Sequence, residues 1–323
     1  MSSAESRVLK IELPTPYPVG TINSYFIDGS EPILIDTGVF SSRSINVLKE
    51  RLQSNGRKLE EIRRILITHD HYDHAGAALR LSQEYGATLF LHEKSELLTQ
   101  SQPEAMKQLF AFLLRCGVPR DLLEDAFRLF GMGDKFANFT AKPHAIERLK
   151  GGDSIAIDGG SLKALATPGH SPEHLCFFDA ARRVLFCGDL LLPNITPNPL
   201  LHLDPKNAWR RTPSLLHYLE SLDLIETIDV ALGCPGHGPN IDDVAGLIAK
   251  NKSFIVRRKT RMREEITKGF SVPYELARAV FGELDLANQY LAISETVAYL
   301  DLLEREEKIS VNWDGDPIRF APR

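Results

Sequence analysis

The sequence "LITHDHYDHAGA" (residues 66–77) places three histidines and two aspartates within six positions. The apolar residues before this cluster predict a buried strand, and the alanine-rich residues after it predict a helix. His69 and His71 stand at alternate positions of the connecting loop, so both side chains can face one metal ion. Asp73 and His74 stand where the helix begins and can face a second ion. The cluster therefore favours half of a metal site, and a solvated polar loop is the alternative.

Four further segments each carry a polar residue at the carboxyl end of a predicted strand. These segments are "LIDTG" with Asp36, "TPGHSPEH" with His170, "FCGDLL" with Asp189 and "GCPGHGP" with His237. Because all four side chains follow strands, one edge of a sheet can gather them beside the first cluster. Histidine and carboxylate ligands together are typical of zinc, and also of iron or manganese.

In this order and with these gaps, the five segments resemble the successive motifs of the metallo-β-lactamase superfamily, over about residues 20–240. The resemblance implies an α/β fold, the four-layered αββα sandwich of that family. It also implies two divalent metal ions, with zinc as the first expectation. Seven ligands are implied, in two groups with one bridging residue: His69, His71 and His170; Asp73, His74 and His237; and Asp189 as the bridge.

A dinuclear site of this kind favours hydrolysis. Two cations roughly 3.5–4 Å apart lower the pKa of a bridging water toward about 7, and the resulting hydroxide can attack a carbonyl or phosphoryl centre. Asp73 and Asp189, the carboxylates of the implied ligand set, are the predicted catalytic residues. The sequence contains no GxSxG motif that would suggest a serine nucleophile instead.

Other polar residues near the motifs have less certain roles. Asp36 is interpreted as a support for a metal-bound histidine, because such histidines usually donate their second ring nitrogen to a carboxylate or carbonyl. A turn-capping aspartate is the alternative. Asp70 and His174 could support the site or be structural, and Tyr72 could touch the substrate. His202 lies on a loop where relatives shape the substrate pocket, but an ordinary loop histidine is the favoured interpretation.

The chain is predicted to have two domains. Residues 1–240 form the catalytic domain, with a helical insertion at about 93–145, and residues 241–323 form a winged-helix-like domain of three helices and a hairpin. The Phe-rich insertion could simply face the core or could be an apolar lid over a substrate cleft. The sequence "PKNAWRRTPSLLHYLESL" (residues 205–222) predicts one helix.

The substrate class is less explicit than the catalyst. A small-molecule carboxylic ester or thioester is favoured, because the resemblance extends to glyoxalase II, lactonases and acyl thioesterases and the insertion could cover an acyl chain. An endoribonuclease or phosphodiesterase is the alternative, since "RRKTRMR" (residues 257–263) could contact phosphates. A nucleic-acid-binding regulator is a third possibility. A homodimer through the helical parts is also expected.

Composition limits the partners and the compartment. The 323-residue chain has a net charge of −5, which argues against general binding to polyanions. Its four cysteines form no CxxC pair, a usage typical of a reducing compartment. The sequence shows neither the apolar core of a signal peptide nor a membrane-length apolar run, so we expect a cytoplasmic protein without a membrane partner.

Overall fold

The computed structural model describes residues 7–98, 103–130, 141–204 and 207–323, and it shows two mixed β-sheets. The first sheet has six strands in sequence order: β1 (Val8–Leu13), β2 (Ile22–Ile27), β3 (Ile33–Ile35), β4 (Arg64–Leu66), β5 (Thr88–His92) and β6 (Ala145–Leu149). β1 to β3 pair antiparallel, whereas β3 to β6 pair parallel. Parallel pairing requires crossover connections, and the first helices supply them: α1 (Ser42–Gln53), α2 (Tyr72–Ala75) and α3 (Ala78–Tyr85).

The second sheet has five strands in the order β13-β10-β9-β8-β7. Their bounds are β7 (Ser154–Ile157), β8 (Gly160–Ala166), β9 (Leu175–Asp179), β10 (Val184–Gly188) and β13 (Leu232–Pro235). β10 and β13 pair parallel, and between them the chain forms a small two-stranded sheet and a helix: β11 (Leu203–Asp204), β12 (Asn207–Arg211) and α6 (Ser214–Glu226). These mixed sheets with helices confirm the α/β class.

The remaining helices belong to the insertion and to the C-terminal part. They are α4 (Pro103–Arg115), α5 (Arg120–Phe130), α7 (Val244–Thr267), α8 (Pro273–Phe281) and α9 (Leu286–Arg305). The chain closes with an antiparallel hairpin of β14 (Ile309–Asn312) and β15 (Arg319–Pro322). Across the ranges that the structure describes, no helix combines the length and apolarity needed to cross a membrane.

Apolar residues alternate between the two faces of each sheet, as the two-residue period of a strand requires. In the first sheet, Leu66 and Phe90 pack with Phe177 of the second sheet in a core cluster between the sheets. Their strand neighbours Ile65 and Leu89 lie in a different cluster, which includes helices α1 and α3. Both faces of these strands are therefore buried, which explains why their sequences are continuous apolar runs.

The C-terminal helices share a core with the second sheet. One cluster joins Cys187 of β10 and Tyr218 of α6 to Ile255 of α7, Tyr299 of α9 and Phe320 of β15. Apolar packing thus continues across residue 240, where the sequence suggests a domain boundary. The observed elements are the expected three helices and hairpin, and their assignment to a separate winged-helix domain stays a prediction.

The insertion helices pack against the C-terminal helices. Phe112 of α4 and Leu123 of α5 are buried in one cluster with Ile293 and Val297 of α9. The cavity between these helices has a volume of only about 20 Å³. These phenylalanine and leucine side chains therefore face the core, which is the simpler of the two interpretations of the insertion. The side chain of Phe130 lies outside the described residues.

Two sequence predictions of local structure were wrong. Asn207–Arg211 forms strand β12 rather than the first turns of a helix, and the helix starts only at Ser214. Pro213 explains the break, because the residue before a proline is sterically disfavoured in the helical conformation. Residues 205–206 of the same predicted helix lie outside the described residues. In addition, Ala145–Leu149 forms strand β6, although strands were expected to return only after residue 150.

Candidate metal centre

The predicted ligands lie on loops that leave the carboxyl ends of strands. His69 follows β4, His170 follows β8, Asp189 follows β10 and His237 follows β13. The last of these loops approaches the others very closely at Gly236. A Cβ at this position would overlap the carboxylate of Asp189 and lie 2.6 Å from Cε1 of His74. Glycine therefore lets the loop complete the cluster.

Three histidines form the first group. Nε2 of His69 lies 2.9 Å from Nδ1 of His71, which lies 3.0 Å from Nε2 of His170. Burial lowers the pKa of all three imidazoles, and for His69 and His71 the neighbouring histidines lower it further. The rings are therefore neutral at neutral pH, which is the protonation state in which histidine binds a metal ion.

Asp73, His74 and His237 form the second group, with potential ligand atoms all within 4.8 Å of one another. Nε2 of His237 lies 3.3 Å from Oδ2 of Asp73. Burial lowers the pKa of His74, but Asp189 and Asp36 outweigh it and raise the pKa overall. The carboxylates thus stabilise positive charge at this position, and they would stabilise a bound metal cation in the same way.

Asp189 lies between the two groups. Its Oδ1 is 3.4 Å from Nε2 of His74, and its Oδ2 is 3.7 Å from Nε2 of both His170 and His237. Burial would raise the pKa of this carboxyl, but the imidazoles of His74, His237 and His170 together outweigh burial and hold the pKa well below its usual range. An ionised carboxylate within reach of both groups has the position that a bridging ligand needs.

Several buried atoms of the cluster lack a protein partner. Nε2 of His74, Nε2 of His237 and Oδ1 of Asp189 accept and donate no hydrogen bond within the described part of the chain. Leaving such an atom unpaired costs about 1–3 kcal/mol, so clusters of them call for a ligand. The residues present therefore fit two divalent metal ions, and the assignment of all seven as ligands stays a prediction.

Asp36 contacts one of the predicted ligands directly. Its Oδ2 lies 2.8 Å from Nδ1 of His74, and the carboxylate also accepts hydrogen bonds from the backbone N–H and the hydroxyl of Thr68. These partners are distant in sequence, so Asp36 is not merely a cap of its own turn. Its φ of 56° lies in the left-handed region, which is costly for a residue with a side chain and is found at functional sites.

Backbone carbonyls orient two other ligands. Nδ1 of His170 donates to the carbonyl oxygen of Asn198 at 3.0 Å, and Nδ1 of His237 donates to that of Thr21 at 2.8 Å. Donation from Nδ1 leaves the lone pair of Nε2 directed into the cluster.

His174 supports the bridging aspartate and is not among the converging ligand atoms. Its Nε2 accepts a hydrogen bond from the backbone N–H of Asp189 at 3.1 Å, and its Nδ1 lies 2.9 Å from the hydroxyl of Thr167. Burial and the neighbouring His170 together lower its pKa to about 3. A permanently neutral His174 can therefore keep this acceptor role across the physiological pH range.

Asp70 anchors the ligand loop. Its carboxylate accepts hydrogen bonds of 2.6 Å from the hydroxyl of Ser95 and from the backbone N–H of Glu96, while its own N–H donates to Glu173. His202 is half-buried, and its buried Nε2 has no hydrogen-bond partner among the described residues. Burial lowers the pKa of His202 to about 4. The proposed substrate contact of Tyr72 stays a prediction.

Comparison with known proteins gives the family. Residues 17–237 match the family model described as the Metallo-beta-lactamase superfamily, a range that contains the whole cluster. The chain belongs to this superfamily. Among its relatives, the probable metallo-hydrolase YqjP of Bacillus subtilis (strain 168) is 33% identical over an alignment of 323 positions that covers 97% of each chain.

Two further proteins are similar over most of the chain. The crystal structure of a metallo-beta-lactamase family protein from Thermus thermophilus covers 98% of both chains, with a TM-score of 0.83 and 26% identity. The atrochrysone carboxyl ACP thioesterase of Aspergillus fumigatus is 24% identical over 288 residues, 84% of this chain and 72% of that one. The likeness thus includes the insertion and the C-terminal helices.

Sequence reasoning identified the loops that carry the predicted ligands of this superfamily member but missed several residues that contact and orient them. Thr68 was missed, although it stands directly before the first histidine of the motif. Thr21 and Asn198 act through backbone carbonyls, so their side chains carry no signal. Glu173 was missed as well. Its role is visible only from the hydrogen bond that it accepts from the backbone N–H of Asp70.

Proposed function

We propose that this protein is a dinuclear metal-dependent hydrolase that cleaves a carboxylic ester or thioester. The observation that carries the proposal is the position of Asp189 between two groups of three potential ligands. Two bound divalent ions, with zinc as the first expectation, would lower the pKa of a water and polarise the substrate carbonyl.

The protein's own residues would hold and orient this centre. His69, His71 and His170 would bind one ion, and Asp73, His74 and His237 the other, with Asp189 reaching both. Asp36 would fix the ring of His74 through its hydrogen bond to Nδ1. Four of these seven side chains are buried, and this limited exposure to water strengthens the electrostatic effect of the cluster on a substrate.

An ester or thioester is supported over RNA by two observations. One relative is named as an ACP thioesterase, and its match covers most of this chain. The basic run at residues 257–263 is also partly engaged within the protein. Lys259 pairs with Glu306 at 2.5 Å, and the guanidinium of Arg258 stacks on Phe254 and Phe281. Contact with nucleic acid stays an alternative for the substrate assay to decide.

A substrate panel tests the proposal. Metal-reconstituted protein would be assayed with acyl thioesters, simple esters, lactones and single-stranded RNA. We expect hydrolysis of a thioester or an ester that disappears after chelation and returns with zinc, manganese or iron. Cleavage of RNA alone, or inactivity on every carbonyl substrate, would overturn the proposal.

A further inference from the structure

A groove lies beside the candidate metal centre, between the loop of residues 192–199 and helices α6, α7 and α9. Its volume is about 400 Å³, against about 20 Å³ for the cavity within the insertion helices. Most of its wall is apolar, including Leu192, Pro197, Phe254 and Tyr299. A groove of this size and character can take a linear, largely apolar group of a small molecule.

The loop of residues 192–199 connects the groove to the metal centre. The carbonyl of Asn198 accepts the hydrogen bond from Nδ1 of His170. At the other end of the loop, Pro193 and Asn194 line the groove and also adjoin the loop of His237. A Cβ on Gly238 would lie 3.1 Å from Cγ of Pro193 and 3.4 Å from Nδ2 of Asn194. One short loop therefore borders both sites.

An unsatisfied carboxylate lines the groove. Oε1 of Glu295 is buried without a hydrogen-bond partner in the described ranges, and it lies 3.8 Å from Nε of Arg258. This separation is too long for a hydrogen bond. Burial raises the pKa of Glu295 to about 6, against the opposing effect of Arg258. The carboxylate is therefore ionised at neutral pH and lacks a donor.

Two aromatic rings hold the guanidinium of Arg258 in place. The guanidinium carbon lies 5.1 Å from the ring centre of Phe254 and 4.3 Å from that of Phe281. Stacking restrains the side chain before any ligand arrives. The groove thus presents a fixed acceptor, Glu295, beside a fixed donor, Arg258. Two successive secondary amides offer the complementary pair, an N–H donor from one and a carbonyl acceptor from the next, because the N–H and carbonyl of a single trans amide point in opposite directions.

We propose that this groove binds the thiol arm of a thioester substrate through two successive secondary amides, the N–H of one donating to Glu295 and the carbonyl of the next accepting from Arg258. The proposal rests on the proposed thioesterase function and names its substrate class. A pantetheine arm has this chemistry, because its secondary amides are spaced along a methylene chain. The arm is common to coenzyme A and to acyl carrier proteins, and the exposed Lys250 at the rim suits the phosphate that follows it in both.

A binding measurement tests the groove without catalysis. S-Methyl pantetheine, whose sulfur cannot deprotonate and bind a metal ion as a thiolate, would be titrated calorimetrically into full-length, metal-loaded protein. We expect binding that Glu295→Ala and Arg258→Met each weaken roughly tenfold, the loss typical of a hydrogen bond to a charged group. Arg257→Met and Glu264→Ala each remove an exposed charge from helix α7 and serve as controls for the loss of a positive and a negative charge. Absence of binding, or equal losses in the controls, would overturn the proposal.

A kinetic measurement tests the amide itself. Each variant would be assayed with S-acetyl pantetheine and with S-ethyl thioacetate, which lacks both amides. The ratio of the two kcat/KM values would then be compared between variants. We expect Glu295→Ala to lower this ratio roughly tenfold. Glu295→Gln retains an acceptor oxygen, should retain more of the ratio, and keeps the test available if Arg258→Met does not fold. An unchanged ratio would contradict the amide contact.

The two measurements separate the two proposals. If the wild-type protein hydrolyses no thioester but binds S-methyl pantetheine with the expected dependence on Glu295, the proposed function fails and the groove assignment stands. If it hydrolyses both thioesters with the same ratio in every variant, the function stands and the groove assignment fails. Assays with acyl-coenzyme A and with acylated carrier protein then show which of these two carriers of the pantetheine arm the protein accepts as a substrate.

Discussion

The metal-ligand loops and the groove differ in how their polar groups are satisfied. In the loops, nearly every imidazole has a second contact on its far side, such as Asp36 on His74 or the Thr21 carbonyl on His237. In the groove, Oε1 of Glu295 is buried without a hydrogen-bond partner in the described ranges, and stacking restrains Arg258. The difference suggests that the loops are fixed before the substrate arrives, whereas the groove is completed by the substrate.

The largest effect should come from the bridging position. Asp189→Ala removes the one carboxylate that reaches both groups, so we expect loss of bound metal and a fall in kcat of roughly 10³-fold, since metal stabilisation of a transition state contributes several kcal/mol. Metal analysis and steady-state kinetics measure both quantities. Asp242→Ala, an exposed aspartate after β13, is the matched control. Full metal content together with full activity in Asp189→Ala would contradict the assignment of Asp189 as the bridging ligand.

A smaller effect should follow from crowding the loop of His237. Gly236→Ala adds a Cβ that would overlap Asp189 and press on His74, so the loop must move away from the cluster. We expect metal affinity to fall roughly 10–100-fold, as for other changes that misorient ligands. Competition with a fluorescent chelator measures the affinity.

Gly160→Ala provides the control for that substitution. A Cβ at Gly160 meets Ala181 only at 3.8 Å, an ordinary van der Waals distance. Equal metal affinity in the two variants would mean that the close approach at Gly236 does not shape the centre.

The smallest effect concerns the groove and appears in stability. Because burial raises the pKa of Glu295 from 4.5 to about 6, the folded state holds this proton more tightly than the unfolded chain. The associated stability is present below the unfolded pKa and is lost as pH rises through about 6. The side chain in Glu295→Gln stays neutral. Its free energy of unfolding should therefore exceed that of wild type by about 2 kcal/mol at pH 7.5, and by less at pH 5.

Urea unfolding at the two pH values measures this difference, and the comparison of variant with wild type cancels the titration of the metal ligands. An advantage of Glu295→Gln that grows as pH falls would contradict the picture of an unsatisfied groove carboxylate. No advantage at pH 7.5 would show that the groove already satisfies Glu295 in solution, and the contrast with the metal loops would disappear.

How far the sequence predicts each region follows from the range of its interactions. The loop of His69 to His74 has its predicted ligands within one short motif that follows an apolar strand, so pattern and resemblance together indicated it. The second sheet and the predicted ligands on its loops were indicated for the same reason. The groove, by contrast, is formed by Arg258 of α7, Glu295 of α9 and a loop near residue 195. These residues are distant in sequence, so no local pattern links them.

The errors have similar physical origins. The helix predicted at residues 205–222 was wrong over Asn207–Arg211 because an antiparallel partner, β11, competes with helical propensity there. The basic run at residues 257–263 suggested a phosphate-binding face, yet Lys259 pairs with Glu306, a residue 47 positions away. The pairing depends on how α7 packs beside the end of α9, which hydrophobic periodicity alone does not specify.

Titration of metal-free protein with zinc, monitored by hydrolysis of S-acetyl pantetheine, tests the central claim most directly. We predict no hydrolysis without metal and activity that saturates at two zinc ions per chain, with Asp189→Ala inactive throughout. Full hydrolysis by the metal-free protein, or saturation at one ion with a second that never binds, would contradict a dinuclear hydrolytic centre.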